Sequence, residues 1–189
     1  MTLRVVAGSA RGRRLVAPPG TGTRPTTDRV REAIMNALTS RGALDGARVL
    51  DLFAGSGALG VEALSRGAAH AVFVDDDPRA RRVIARNLEA CGFADRAEVV
   101  AQRAERYLAG GTSPAGDGGE RGGLDRPGFD LAFCDPPYVF DRWDELLRSL
   151  PADLVVMESD RPVELPGGWE LVREARYGST WVGFAERTG

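Results

Sequence analysis

From residue 47 onward, short apolar runs alternate with amphipathic stretches. ARVLDLF (47–53), AVFVD (71–75), AEVVA (97–101), FDLAFC (129–134) and DLVVMES (153–159) are brief and rich in β-branched and aromatic residues. Runs of that length and make-up read as buried strands. Between them, GALGVEALSRG (57–67), PRARRVIARNLEACG (78–92), a short stretch at 105–108 and WDELLRSL (143–150) carry helical spacing. The second of these starts with Pro78 and sets Ala80, Val83, Ile84, Leu88 and Cys91 on one face; the last sets Trp143, Leu146, Leu147 and Leu150 inward. WELVREARYGSTWVGFAE (169–186) predicts a closing hairpin around Tyr177-Gly178. Repeated strand–helix units imply an α/β protein whose sheet is mostly parallel with helices on both faces.

The N-terminal part differs. LRVVAG and RRLVAP, joined by SARG, predict a short β-ribbon with Gly8 and Gly12 as turn residues. TRPTTDRVREAIMNAL (23–38) then opens a helix that Thr26, Thr27 or Asp28 can cap. Its inward face is Val30, Ala33, Ile34, Ala37 and Leu38, and Arg29 and Arg31 point elsewhere. The expected division is a ribbon over 1–25 and a main domain over 26–189. Residues 110–128, GGTSPAGDGGERGGLDRPG, are Gly-rich and read as a surface loop within the second part.

Charge sharpens this division. The net charge is −2, and all 25 basic residues are Arg. Residues 1–31 hold seven of them (Arg4, Arg11, Arg13, Arg14, Arg24, Arg29 and Arg31) against the single acid Asp28. Such asymmetry predicts that the N-terminal end meets a polyanion. The two cysteines, Cys91 and Cys134, form no framework and read as small core residues, and no metal-ligand pattern is visible. No run is long enough to span a bilayer and no secretory leader is evident, so a cytoplasmic location and no membrane partner are expected.

Three polar stretches sit where strands end. DLFAGSGALG (51–60) satisfies GxGxxG through Gly55, Gly57 and Gly60. Such a loop allows tight turning and close approach of backbone N–H groups to a ligand. The carboxylate of Asp51 would repel a pyrophosphate, which speaks against a dinucleotide. It suits the cationic methionine end of S-adenosylmethionine. VFVDDDP (72–78) ends the second run in three acids: Asp75 is placed to accept ribose hydroxyls, and Asp77 to cap the following helix.

The third stretch, Asp135-Pro136-Pro137-Tyr138, stops the fourth strand, because proline cannot donate to a sheet ladder. There the Asp135 carboxylate and the Pro136 carbonyl can accept both N–H bonds of an amino group whose lone pair is conjugated with a ring. The Tyr138 ring can stack on the base, so most of the gain is positioning. A target of this kind must leave its stack to enter a pocket.

RGRRL (11–15), TRPTTDRVREAIMNAL, DLFAGSGALGVEALSRGA (51–68), FVDDDP (73–78) and DPPY together resemble the RsmD family of bacterial methyltransferases, over nearly the whole chain. The glycine loop and DPPY are shared by many amino-methyltransferases, whereas RPTTDRVREA is more specific. The resemblance implies a Rossmann-like seven-stranded S-adenosylmethionine-dependent methyltransferase fold with a small RNA-binding N-terminal β-ribbon extension. It also implies transfer of a methyl group to the exocyclic 2-amino group of one guanine in 16S rRNA of the small ribosomal subunit. The partner is then 16S rRNA, the small subunit or its assembly intermediate, met by a monomer.

The expected cofactor-binding set is Asp51, Phe53, Ala54, Gly55, Ser56, Gly57, Asp75, Asp76 and Gln102, and the expected catalytic set Asp135, Pro136, Pro137 and Tyr138. Arg4, Arg11, Arg13, Arg14, Arg24, Arg29 and Arg31 are the expected RNA contacts. Arg103 stands where an Asp or Asn often meets the adenine amine, which is why Gln102 is the substitute. The competing readings are a DNA adenine or protein glutamine amino-methyltransferase, a nicotinamide dehydrogenase, and a non-catalytic RNA-binding module.

Overall fold

A computed structural model describes residues 3–18, 25–110 and 128–189, with no side-chain description at 25–27. Its elements follow the chain as α1 (Pro25–Ser40), β1 (Arg48–Leu52), α2 (Ala58–Ser65), β2 (His70–Val74), α3 (Pro78–Cys91), β3 (Ala97–Val100), α4 (Ala104–Gly110), β4 (Phe129–Cys134), α5 (Trp143–Ser149), β5 (Ala152–Ser159), β6 (Trp169–Tyr177) and β7 (Thr180–Arg187). One turn of 3₁₀ helix, Ala94–Arg96, precedes β3. The seven strands form one sheet in the order β3-β2-β1-β4-β5-β7-β6. All pairings are parallel except those of β7, which runs antiparallel to β5 and β6. The expected closing hairpin is therefore present, with Gly178 in its turn at φ 63°.

The central strands are buried on both faces, with helices packed on either side, which is why they read as continuous apolar runs. Chain order reverses beside β1: β2 and β3 lie on one flank, β4 and β5 on the other. Loops leaving the carboxyl ends of β1 and β4 diverge there and open a crevice.

Two helices depart from the sequence pattern. α1 begins at Pro25, so Asp28 lies in its first turn and is not its cap; proline suits that opening position because its missing N–H would be unbonded anyway. In α3, Val83 and Cys91 are only half-buried, and the buried stripe is Ala80, Ile84, Asn87 and Leu88. Asp77 does cap α3, accepting from the Arg79 N–H at 2.8 Å.

The ribbon is real but short: one antiparallel bridge, Arg4 to Arg14, flanked by backbone bonds between Val5 and Arg13 and between Leu15 and Leu3. It is also not free of the main domain. Leu3, Val5, Ala10 and Leu15 belong to the same core cluster as Ile34, Val61 and Ile84. Buried polar groups fasten it. Glu62 on α2, 1% exposed, accepts from the N–H groups of Val6 (2.8 Å) and Ala7 (3.0 Å). Ser65 accepts from Ala10 N–H and donates to the Ala7 carbonyl. Asn87 bonds both backbone groups of Val16 and the Ser56 carbonyl, tying ribbon, α3 and glycine loop to one side chain. Gly8, at φ 83°, lies so close to α2 that a Cβ there would sit 1.8 Å from the Ser65 carbonyl oxygen. Arg24 and residues 111–127 of the Gly-rich loop lie outside the described residues.

Candidate active site

A cavity of about 210 Å³ opens at the β1–β4 crevice. It is lined by Asp51, the glycine-loop residues Phe53 to Ser56, Asp135 and Glu158, and by Leu3, Pro18, Asp28 and Arg31 from the N-terminal part.

The glycine loop explains its own composition. Gly57 sits at φ 73° and a Cβ there would press on Ile84 and Phe73 at 3.2 Å, so α2 starts in close contact with the sheet. At Gly60 a Cβ would meet the Phe73 ring at 2.4 Å. Gly55 is different. It too has positive φ (57°), yet a Cβ would find only the Phe53 carbonyl at 3.9 Å, so space beside it is open. Phe53 adopts φ 59°, an outlier for a bulky residue. Its ring packs edge-on against Phe140, 5.4 Å away, which in turn packs on Trp143.

Three carboxyl groups converge on the cavity from the ends of β1, β4 and β5. Asp51 is 2% exposed and accepts the Gly60 N–H at 3.0 Å. Burial raises its pKa well above the carboxylate range, partly offset by the Gly60 bond and reinforced by the charges of Asp135 and Asp75. Burial lifts Asp135 to about 6. Glu158 rises to about 8, through burial first and the neighbouring Asp135 charge second. Together they make a pocket short of positive charge.

The other expected site residues divide. Asp75 uses its carboxylate on backbone: Oδ2 accepts from Gly55 N–H (2.8 Å) and Oδ1 from Asp77 N–H (2.9 Å). It therefore pins the glycine loop to the end of β2, while each oxygen keeps capacity for a further donor. Asp76 turns outward, 59% exposed, to pair with Arg103 at 3.3 Å. Gln102 is half-buried in the bend between β3 and α4. Asp75, Asp76 and Gln102 are not among the residues lining the cavity.

Pro136 is buried, Pro137 exposed, and Tyr138 is 38% exposed with its hydroxyl 3.1 Å from that of Thr180 at the start of β7. The ring is thus anchored at its far end, though Tyr138 is not among the residues lining the cavity. Cys134 is buried, and burial pushes its thiol up, as suits a core residue.

Arg4, Arg11, Arg13, Arg14 and Arg29 are exposed. Arg31 corrects the expectation that it points away from the apolar face, for it is 4% exposed. The ribbon covers that side of α1 and Arg31 donates to the Arg4 carbonyl. Among the described residues, no group of three or more His, Cys, Asp or Glu side chains is placed to hold a metal ion. No helix among them is long and apolar enough to cross a membrane.

The family model described as "Conserved hypothetical protein 95" matches residues 3–186. The Escherichia coli protein named "Ribosomal RNA small subunit methyltransferase D" is 36% identical over 182 residues, covering 91% of this chain and 83% of that protein. The chain belongs to the RsmD family. The Haemophilus influenzae protein of the same name is 33% identical, covering 93% and 89% of the two chains. Among solved structures, Escherichia coli yhhF superposes with a TM-score of 0.81 at 33% identity, covering 100% of this chain and 99% of that one.

Within this family fold, sequence reading missed, among the cavity's charged residues, Glu158, Asp28 and the place of Arg31 in the cavity wall. An isolated acid near the end of the apolar run DLVVMES was the available signal for the first. It gained meaning only from register: Met157 pairs with Cys134, so the next residues of both strands, Glu158 and Asp135, meet at the crevice.

Proposed function

We propose that this protein transfers a methyl group from S-adenosylmethionine to the 2-amino group of a guanine in 16S rRNA of the small ribosomal subunit. One observation carries the reading. The glycine loop with Asp51 and the Asp135-Pro136 turn line or border one cavity at the sheet's reversal point, in a chain whose relatives include proteins named for small-subunit rRNA methylation.

The residues present fit the cofactor. Gly55 leaves room for close approach, and the acid Asp51 suits a cationic group while opposing a pyrophosphate. Asp51 and residues Phe53 to Gly57 would hold the methionine end, and Asp75 the ribose. Bound there, the cofactor supplies a methyl group activated by its sulfonium. Asp135 and the Pro136 carbonyl would accept the two N–H bonds of the acceptor amine, fixing its nitrogen lone pair toward that methyl. Methylation leaves a proton to be shed, and Asp135, with its pKa raised to about 6, is placed to take it and pass it to solvent. Tyr138, tethered through Thr180, would offer a face on which the base stacks. The exposed Arg11, Arg13 and Arg14 would contact phosphates, which position RNA more than they read it.

The test is methyl transfer by the purified protein to naked 16S rRNA, to assembly intermediates and to small subunits, with the product nucleotide mapped. Asp135→Ala should lose about 100-fold or more of the rate while cofactor affinity stays nearly intact. Methyl found on adenine, or none on any of the three substrates, would overturn the reading.

A further inference from the structure

Arg31 is a buried charge to which the reading above gives no ligand. Its Nη1 donates to Asp28 Oδ1 at 3.1 Å and its Nη2 to the Arg4 carbonyl at 2.9 Å. Its Nε is buried without a hydrogen-bond partner among the described residues. An enclosed guanidinium cannot shed its proton, and an unsatisfied N–H in such a place costs free energy. A purely structural clamp between α1 and the ribbon would need only the bond to the Arg4 carbonyl.

The cavity's ionisable lining makes the case more pointed. It comprises Asp28, Asp51, Asp135, Glu158 and Arg31, so Arg31 is the one cation among the described residues that line it. The methionine end of S-adenosylmethionine carries a sulfonium, an ammonium and a carboxylate. Acids satisfy the first two, but the carboxylate needs a cation within the same small space. An arginine held from two sides presents its remaining surface at little further entropic cost, and charge-assisted bonds to carboxylates are among the stronger ones.

We propose that Arg31 binds the carboxylate of the cofactor's methionine end, with Asp28 and the Arg4 carbonyl fixing its orientation. Helix α1 and the N-terminal residues are then a wall of the cofactor site as well as part of an RNA-facing extension. The proposal rests on the reading of the chain as S-adenosylmethionine-dependent. An RNA phosphate is the other anion an arginine takes. The carboxylate is favoured because Arg31 is 4% exposed and shares its cavity with the glycine loop, whereas Arg11, Arg13 and Arg14 are open to solvent.

Calorimetric titration without RNA separates the possibilities. The probes are S-adenosylhomocysteine, its decarboxylated analogue, and 5′-methylthioadenosine, which lacks the whole amino-acid end. Arg31→Gln should weaken S-adenosylhomocysteine by about 10- to 100-fold, the scale of a hydrogen bond to a charged group, and leave 5′-methylthioadenosine unchanged. Equal loss for both probes, or no loss for either, would overturn the assignment. So would intact S-adenosylhomocysteine affinity with weakened rRNA binding, which would give Arg31 to a phosphate. Should Arg31→Gln not fold, the wild type decides: equal affinity for S-adenosylhomocysteine and its decarboxylated analogue rejects carboxylate recognition. A wild type that binds none of the three probes would instead reject the cofactor reading itself, and the Arg31 assignment with it.

Discussion

Replacing Glu158 by Gln removes an acid whose charged form is disfavoured both by burial and by a neighbouring carboxylate. Its pKa moves from the ordinary 4.5 to about 8, because the carboxyl is withdrawn from water and faces Asp135. At about 1.4 kcal/mol per tenfold change in proton affinity, ionising it in the cofactor-free protein costs at most about 5 kcal/mol. Solvent at the cavity mouth screens part of that, leaving on the order of 2–3 kcal/mol.

The sign follows from which state holds the proton. Between the unfolded value and about 8 the native protein binds a proton that the unfolded chain has lost, so stability falls as pH rises through this window. The contribution is fully present below about 4.5 and gone above about 8. Reversible urea unfolding of the cofactor-free wild type and of Glu158→Gln, from pH 5 to pH 9, reads this directly. The wild type should lose about 2–3 kcal/mol relative to the variant across the range, and groups not coupled to Glu158 cancel in the difference. Two parallel curves would refute the claim that this carboxyl is held protonated by burial and by Asp135.

Asp75→Ala should weaken S-adenosylhomocysteine binding by roughly 1–3 kcal/mol, since it removes the acceptor that pins Gly55 as well as the expected ribose contact; undiminished calorimetric affinity would sink that role. Gly8→Ala forces a Cβ onto the Ser65 carbonyl at positive φ, and should lower urea-unfolding stability by more than about 2 kcal/mol. Replacing Arg11, Arg13 and Arg14 together by Ala should weaken RNA binding and flatten its log–log salt slope by roughly 0.7–0.9 per lost contact. Cofactor affinity should not move in that variant, and an unchanged slope would return these arginines to mere solvation of the surface.

The parts of this protein legible in its sequence are those in which meaning is contiguous. Asp51 with Gly55, Gly57 and Gly60 is one turn, and Asp135 to Tyr138 another; strand–helix alternation fixes which end of the sheet each occupies. Glu158 and Arg31 were not legible in this way, because neither is special among its sequence neighbours. The first matters through register with β4. The second is buried because a separate segment docks on it, and the helical spacing of Val30, Ile34 and Leu38 carries no trace of that segment. Glu62 and Asn87 lie between. Each is a polar residue within an apolar helical stripe, a visible anomaly whose explanation, the backbone of the ribbon, lies far away in the chain.

That distance has a consequence for how the protein comes into being. The ribbon's backbone groups bond Glu62, Ser65 and Asn87, partners 55 to 71 residues further along. At ordinary translation speeds, Asn87 is added roughly 4–14 seconds after Val16. The ribbon therefore leaves the ribosome before α2 and α3, which supply these partners, are made. A nascent chain broken off before α3 lacks the Asn87 bonds that hold Val16, and so part of what seats the cavity wall supplied by Leu3 and Pro18. Loop closure over such spans is slow and entropically costly. The ribbon is thus made well before the residues that seat it.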